Sequence, residues 1–361
     1  MPVLLTTGLG QLAPEILAAA AQPAIDGHGE AAFDLVVRIR SGMRTVLGAA
    51  TDTWLLPGTG MAGLEAALCN HFSPSEHVLA CVNGFFSEYF SAIASGMGLK
   101  VTTVRSPRGE GINWVSVEQH LVSNRDIRGL LFVHHETSTG TLTDLRPVGT
   151  LCEQFDLISV GNFVSSAGGV AIDLDAHGVD VAVAVSHKGM MSPAGIVFIA
   201  TSDRARNIWK QAGLTRFYWD LQRLSEWNEK RVLPFDPPLP QLYALDRVLS
   251  TVFCESPQAN YDRVVRNAEL FRGSIAASGL EIVALTGHRA PNATVVALPE
   301  PVSSSAVRSA ISNKYGIELS GGIGENADTV VRVTHQGWVD IGALNQAAQA
   351  LVELIKADAV A

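Results

Sequence analysis

The sequence predicts an α/β protein in which a large, mostly parallel sheet domain precedes a smaller C-terminal α+β domain. Between residues 54 and 202, short apolar runs alternate with amphipathic segments, a pattern that is typical of βαβ units. A chain of 361 residues is also too long for a single compact core. We therefore expect one domain over residues 1–245, including the N-terminal segment, and a second over residues 246–361 with the inter-domain helix.

The predicted strands of the large domain follow one another with helical segments between them. Strands are expected at residues 77–83, 100–105, 130–134, 157–162, 179–186 and 195–200, and helices at 61–71 and 87–97. In such sheets, ligands bind beyond the carboxyl ends of the strands. The residues that follow each strand are therefore the candidates for function.

A proline-rich stretch at residues 233–240 separates the two parts of the chain. Beyond it the pattern predicts a helical region at 242–278, strands at 281–285, 293–298 and 329–334, and a helix at 303–314. A last helix is expected to begin near an Asp340 N-cap, because apolar residues recur on one helical face after it.

Composition limits the class of protein. Hydrophobic residues make up 47% of the chain and charged residues 17%, which indicates a well-buried globular protein. The formal net charge of −9 comes without a basic block, which argues against nucleic acid as the main partner. No apolar stretch has membrane-spanning length and the N-terminus does not resemble a signal peptide, so we expect a soluble, cytoplasmic protein. Cys69, Cys81, Cys152 and Cys254 form no CxxC pair and are expected to be buried, reduced thiols.

Lys188 lies two residues after the end of the predicted strand at 179–186, in Ser186-His187-Lys188-Gly189-Met190. A lysine at the end of a buried strand needs a partner or a function, because burying its charge is unfavourable. A desolvated lysine has a lowered pKa and can attack a carbonyl carbon. The alternative is a lysine whose stem packs on the strand while its ammonium reaches solvent.

A glycine-rich segment at residues 56–64 lies between a predicted strand and a helix. Gly58, Gly60 and Gly63 allow the backbone to approach an anion, and the helix N-terminus offers free N–H groups to a phosphate. The segment lacks the GK[ST] of a Walker A loop, and no acidic residue ends a following strand as the dinucleotide fingerprint requires. A tight strand–helix turn without a ligand remains an alternative.

Polar residues follow the predicted strand at 130–134, in the run His134-His135-Glu136-Thr137-Ser138-Thr139-Gly140. Their hydroxyl and carboxylate groups can hydrogen-bond a ligand at the strand end. Adjacent histidines on a strand point to opposite faces, so we predict no metal site here.

Taken in chain order, several motifs resemble those of the alanine–glyoxylate and serine–pyruvate aminotransferases of class V. They are Gly58-Thr59-Gly60, Val82-Asn83-Gly84-Phe85-Phe86, His135-Glu136-Thr137-Ser138-Thr139-Gly140, Ser166-Ala167-Gly168-Gly169, Ser186-His187-Lys188 and Phe217-Tyr218-Trp219-Asp220. The resemblance covers nearly the whole chain. It implies the fold of type I pyridoxal-phosphate enzymes, with a seven-stranded sheet, and a homodimer with active sites at the subunit interface.

The resemblance also implies an activity, the transfer of an amino group between an amino acid and a 2-oxo acid with pyridoxal 5′-phosphate as cofactor. A pyridoxal-phosphate lyase or decarboxylase acting on an unusual amino acid is the first alternative. A non-catalytic member of the fold that binds a metabolite or a protein is the second.

Residue roles follow from the same resemblance. Lys188 would hold the cofactor as an internal aldimine and move a proton between the substrate Cα and the cofactor C4′. The cofactor-binding residues would be Thr59 and Gly60 at the phosphate, Phe86 and Val164 on the two ring faces, Thr137 at the ring hydroxyl, and in addition Met61, Asn162 and His187. Arg332 takes the place of the arginine that binds the substrate carboxylate through a bidentate fork. Gly8 lies in a segment expected to line the substrate pocket.

Some residues depart from the family pattern. Asn162 occupies the place of an aspartate that keeps the pyridine nitrogen protonated; a neutral amide favours the unprotonated form and weakens the ring as an electron sink. Leu233 and Asp236 stand where phosphate ligands from the neighbouring subunit are expected, and Met61 and His187 replace a His and a Gln.

These departures predict either an enzyme whose chemistry needs less electron withdrawal or a member of the fold that has lost catalysis. Lys188 and Arg332 are both present. A non-catalytic protein would have little physical reason to retain a buried lysine, so the enzyme is favoured.

Overall fold

A computed structural model of the protein describes residues 2–49, 52–254 and 256–358. The strands in these residues are β1 (Val3–Leu5), β2 (Thr53–Gly58), β3 (His77–Val82), β4 (Lys100–Arg105), β5 (Ile127–Val133), β6 (His135–Glu136), β7 (Thr141–Leu142), β8 (Ile158–Asn162), β9 (Val181–Val185), β10 (Gly195–Thr201), β11 (Ala293–Ala297), β12 (Ile317–Gly321) and β13 (Val330–Thr334). The helices are α1 (Pro14–Ala20), α2 (Glu30–Leu47), α3 (Gly60–His71), α4 (Phe85–Gly96), α5 (Trp114–Ser123), α6 (Arg146–Phe155), α7 (Asp203–Arg206), α8 (Leu221–Glu229), α9 (Leu239–Thr251), α10 (Gln258–Ser278), α11 (Ser304–Tyr315) and α12 (Ile341–Asp358), with 3-10 turns at Lys188–Met190 and Gly324–Asn326.

Seven strands form the large sheet, in the order β2-β10-β9-β8-β5-β3-β4. Strand β10 runs antiparallel to both of its neighbours, and the other pairs in the sheet are parallel. The mostly parallel seven-stranded sheet is therefore confirmed. Valines at alternate positions of β9 face one apolar core while the alanines between them face another, which shows that both faces of the sheet are covered.

The second sheet has the order β1-β12-β13-β11 and packs against α10, α11 and α12. Strand β1 pairs in parallel with β12, Val3 opposite Ile317. The N-terminal segment, expected within the larger domain, thus contributes a strand to the C-terminal sheet. Short-range patterns do not report such a pairing, because its partners are more than 300 residues apart.

Three sequence predictions need correction. The helical region expected at 242–278 is two helices, α9 and α10, and Pro257 directly precedes α10, where its missing N–H is tolerated. The strand expected at 281–285 is reduced to a single bridge between Ile282 and Val296. Cys69, Cys81 and Cys152 are buried as expected, whereas Cys254 is exposed beyond the end of α9.

Two further observations concern the helices. The last helix begins as predicted beside Asp340, whose carboxylate accepts a hydrogen bond from the Ala343 N–H at 2.6 Å. In the part of the chain that the structure describes, no helix combines the length and the apolar character needed to cross a membrane.

Helix α3 lies close against β9 and β10 because Gly63 has no side chain. A Cβ at Gly63 would lie 2.6 Å from the Val183 Cγ1 and closer still to the Val197 Cγ2. Both valines are on buried central strands, so neither can move away easily. We expect Gly63→Ala to lower the free energy of unfolding by about 1–3 kcal/mol in urea denaturation, as overpacked cores do.

Gly273 in α10 is the matched control, because a Cβ there would meet nothing within 4 Å. Gly273→Ala should leave the free energy of unfolding unchanged or raise it by up to about 1 kcal/mol, from helix propensity alone. Equal stabilities of the two variants would contradict the close packing of α3.

Candidate active site

The carboxyl ends of three neighbouring strands bring the candidate residues to one edge of the large sheet. Strand β8 ends at Asn162, which lies opposite Val133 of β5 and Val183 of β9. Strand β5 leads into Thr137, and β9 leads into Lys188. This edge is the place where parallel sheets bind ligands.

Lys188 begins the 3-10 turn after β9 with a φ of +68°. Left-handed backbone is uncommon for a residue with a side chain and marks a position that its surroundings constrain. The Nζ atom donates a hydrogen bond to the Ser165 Oγ at 3.0 Å and lies 5.8 Å from the centre of the Phe86 ring. Because Ser165 is buried, the amine points into the protein, unlike the solvent-reaching lysine that the sequence left open.

Burial lowers the pKa of the Lys188 amine to about 8, and the positive charge of Arg332 acts in the same direction. The negative charge of Glu136 opposes them. A lower pKa increases the fraction of neutral amine near neutral pH, and only the neutral amine can attack a carbonyl carbon.

A pair of hydroxyl groups adjoins the lysine. The Thr137 Oγ1 and the Ser165 Oγ are 2.6 Å apart and share a hydrogen bond. The backbone carbonyl of Ser165 accepts hydrogen bonds from the His135 Nδ1 and the Asn292 Nδ2. Sequence reasoning missed Ser165; its position directly before the Ser166-Ala167-Gly168-Gly169 motif was the available signal.

Glu136 is fully buried and its carboxylate binds the first turn of α4. It accepts hydrogen bonds from the backbone N–H groups of Phe86 at 3.2 Å and Ser87 at 2.8 Å, and from the N–H and hydroxyl of Ser138. A negative charge at a helix N-terminus is stabilised by these N–H groups and by the helix dipole. Glu136 therefore fixes Phe86 near the lysine, and its oxygens are occupied within the protein.

The N-terminus of α3, which follows β2, lies at the same edge of the sheet. Thr59 is the N-cap, with extended backbone and no side-chain hydrogen bond to the helix, so the N–H groups of the first turn have no intrahelical acceptor. A Cβ on Gly60 would lie 2.8 Å from the Val164 Cγ2, so only glycine allows this approach. Met61 is half exposed.

Two uncharged polar groups complete this part of the site. The Asn162 Oδ1 accepts a hydrogen bond from the Val164 N–H at 3.0 Å, which leaves the side-chain NH2 as the group able to donate to a ligand. Burial, together with the charge of Lys188, lowers the pKa of His187 to about 4, so its imidazole is neutral. The His187 Nδ1 is buried and has no hydrogen-bond partner among the described residues.

Arg332 lies on β13 and is 7% exposed. Its Nε donates to the Gly321 carbonyl at 2.6 Å, and within the described ranges no carboxylate is at salt-bridge distance. Burial lowers its pKa to about 10, against the opposing effect of Glu136. A buried cation without a paired anion is costly, so this position favours an anionic ligand.

Gly8 lines a small cavity together with Lys188, Gln336 and Trp338. The pairing of β1 with β12 brings this N-terminal segment to the lysine. Trp338, half exposed at this cavity, was not predicted from the sequence.

Leu233 and Asp236 occupy different surroundings. Leu233 packs against the apolar core and lines an apolar pocket with Phe33 and Trp54. Asp236 is exposed and its carboxylate lies 3.2 Å from the His28 Nε2.

The two histidines after β5 are engaged in hydrogen bonds. The His134 Nδ1 bonds the Ser166 Oγ at 2.9 Å, and the His135 Nδ1 bonds the Ser165 carbonyl at 3.2 Å. Over residues 2–49, 52–254 and 256–358, no three or more His, Cys, Asp or Glu side chains are grouped in a way that could hold a metal ion.

Comparison with known proteins gives matches over nearly the whole chain. The model of the family described as Aminotransferase class-V matches residues 15–336, which include Lys188 and Arg332. The serine–glyoxylate aminotransferase of Methylorubrum extorquens is 30% identical over 326 residues, which cover 86% of this chain and 81% of the relative. The L-aspartate–glyoxylate aminotransferase of Paracoccus denitrificans is 28% identical over 351 residues, 95% of this chain and 88% of the relative.

Solved structures agree with the sequence relatives. The crystal structure of an alanine–glyoxylate aminotransferase from Nostoc sp. has a TM-score of 0.92 to this chain at 29% identity, with 99% of this chain and 94% of that chain covered. Both sheets of the present fold therefore lie within the aligned region.

Proposed function

This chain belongs to the class-V aminotransferase family, and we propose that Lys188, Arg332 and the residues around them form its active site. The resemblance that the motifs indicated is confirmed. The protein is a pyridoxal-phosphate-dependent transferase that moves an amino group between an amino acid and a 2-oxo acid. From the names of its relatives, we propose glyoxylate as an amino acceptor to test first.

The residues present fit pyridoxal phosphate. The N-terminus of α3 at Thr59 and Gly60 offers unpaired N–H groups to the phosphate, with Met61 beside them. Phe86 and Val164 would cover the two faces of the ring, and Thr137 would bond its hydroxyl group. When bound, the cofactor supplies an electron-withdrawing ring that makes the Cα proton of the amino acid more acidic.

The chain's own residues have distinct tasks in this proposal. The neutral Nζ of Lys188 is the nucleophile and later the base that carries the Cα proton. The Arg332 guanidinium binds the substrate carboxylate in the bidentate geometry that a planar fork allows. Gly8 would line the substrate pocket, at a position where a Cβ would meet nothing within 4 Å.

The proposal depends chiefly on the presence of two cationic side chains, Lys188 and Arg332, in one partly buried site. The negative charge of Glu136 acts on both Lys188 and Arg332, but its carboxylate is already hydrogen-bonded by the first turn of α4 and is not paired with either cation. An α-amino acid supplies the missing negative charge through its carboxylate.

We further propose a homodimeric, cytoplasmic enzyme in which the segment that carries Leu233 and Asp236 lies at the subunit interface, with the exposed Asp236 towards the cofactor phosphate of the neighbouring subunit. The aromatic residues Phe217 and Tyr218 are exposed, and exposed apolar side chains of this kind favour contact with another protein subunit. A carboxylate near a phosphate is unfavourable unless a cation intervenes, and His28 beside Asp236 is such a group when protonated.

The first prediction concerns Lys188. Lys188→Ala should abolish turnover and the adduct that borohydride traps with pyridoxal phosphate, because no other amine takes its position. Both are measured on purified protein by activity assay and peptide mass spectrometry. Lys100→Ala, which removes an exposed lysine paired with Asp126, is the control and should retain both. Unchanged activity in Lys188→Ala would contradict the assignment.

The second prediction concerns Arg332. Arg332→Lys should raise the KM for the amino acid, since an ammonium cannot reproduce the bidentate fork. It should also lower kcat/KM by a factor that corresponds to roughly 2–4 kcal/mol of transition-state stabilisation. Arg308→Lys is the control and should leave KM and kcat/KM unchanged. It makes the same substitution at an arginine of α11 whose Nε bonds the Leu319 carbonyl of β12. Equal steady-state kinetics for Arg332→Lys and wild type would mean that the substrate carboxylate binds at another position.

The third prediction concerns Asn162, whose NH2 group we propose donates to an unprotonated ring nitrogen and so weakens electron withdrawal. Asn162→Asp should make the Cα proton of an amino acid exchange faster with heavy water, as followed by NMR. Because a new buried charge costs stability, the cofactor must be saturating. If the variant binds cofactor and exchanges no faster, Asn162 does not limit the ring in this way.

A further inference from the structure

Ser165 is held in one place by four separate hydrogen bonds. Its Oγ lies 3.0 Å from the Lys188 Nζ and 2.6 Å from the Thr137 Oγ1. Its backbone carbonyl is bound by the His135 Nδ1 at 3.2 Å and by the Asn292 Nδ2 at 3.1 Å. Since the residue is also buried, the hydroxyl has little freedom except rotation of its own O–H bond.

That rotation has a chemical consequence. A hydroxyl group both donates and accepts hydrogen bonds, whereas an ammonium group can only donate. With Lys188 protonated, Nζ donates to the Ser165 Oγ, and the Ser165 O–H donates to the Thr137 Oγ1. With Lys188 neutral, the Thr137 O–H can donate to Ser165, whose own O–H then donates to the lone pair on Nζ.

No other neighbour of Nζ among the described residues accepts a hydrogen bond from the ammonium and also donates one to the neutral amine. The Phe86 ring is 5.8 Å away, and the Glu136 carboxylate is bound by N–H groups of α4. Arg332 repels the ammonium and lowers its pKa. The buried His187 Nδ1 has no hydrogen-bond partner among the described residues, so it does not hold Nζ.

We propose that Ser165 is a positioning residue that holds the free amine of Lys188 in both protonation states, by reversing the direction of its hydrogen bonds with Thr137. No proton leaves the hydroxyl pair in this exchange. The inference rests on the proposed function only in taking Lys188 as the reacting lysine. Because the hydrogen bond from the charged ammonium is stronger than the one to the neutral amine, loss of the serine should destabilise the ammonium more, and the pKa of Lys188 would then lie lower still.

The test measures the lysine in the protein without added cofactor. Trace acetic anhydride labels each lysine according to its neutral fraction, and peptide mass spectrometry quantifies Lys188 across a range of pH. The wild-type midpoint should lie near pH 8. In Ser165→Ala the midpoint should move to lower pH, so that Lys188 labels several-fold faster than wild type below that midpoint.

Ser166→Ala is the matched control. It also removes a buried hydroxyl, but that hydroxyl bonds the His134 Nδ1 at 2.9 Å. Its labelling midpoint should equal that of wild type. Thr137→Val, which removes the other partner of the Ser165 hydroxyl, should lower the midpoint as well and provides a second variant. If neither Ser165→Ala nor Thr137→Val moves the midpoint, or if Ser166→Ala moves it equally, the inference is wrong.

Turnover gives a second readout. In the cofactor-loaded enzyme, Ser165→Ala should lower kcat roughly 10- to 100-fold, as misplacement of a reacting group does, with the amino-acid KM little changed. Ser165→Thr, which keeps the hydroxyl, should restore most of kcat. A wild-type protein that forms no pyridoxal-phosphate adduct would contradict the proposed function, while the labelling midpoints would still decide the role of Ser165.

Discussion

Burial of two cationic side chains, Lys188 and Arg332, governs the chemistry of this site. Both side chains are removed from bulk water, and burial lowers the pKa of each. In a medium of lower dielectric constant than water, the two charges repel each other more strongly than at the surface. The lysine is the group that can relieve this repulsion by losing its proton, because a guanidinium keeps its charge. The result is an amine that loses its proton near pH 8, beside a cation suited to a carboxylate.

Glu136 makes this arrangement tolerable without neutralising it. Its carboxylate raises the pKa of both cations, yet its hydrogen bonds go to the first turn of α4 and to Ser138. A direct ion pair with either cation would have filled the position that an anionic substrate is proposed to take. Placing the negative charge on a helix N-terminus keeps it near the site and also orients Phe86.

Two uncharged side chains, Asn162 and His187, lie in the candidate site. The Asn162 oxygen is committed to the Val164 N–H, so the side chain can present only its NH2 group. His187 stays uncharged, and its Nδ1 has no partner among the described residues. If Asn162 donates to the ring nitrogen as proposed, that nitrogen remains unprotonated, which reduces the capacity of the ring to withdraw electrons.

The sequence alone determined the parts of this protein that depend on local pattern. Alternating runs gave the parallel sheet, and Lys188 after a buried strand suggested a reactive amine, because burial and periodicity are encoded by neighbouring residues. Ordered motifs indicated the family. Only the tertiary structure decided that β1 joins the C-terminal sheet, that Glu136 binds α4, and that Ser165 contacts Lys188. Each of these is a contact between residues far apart in the chain, and residue spacing carries no information about which buried polar groups will meet.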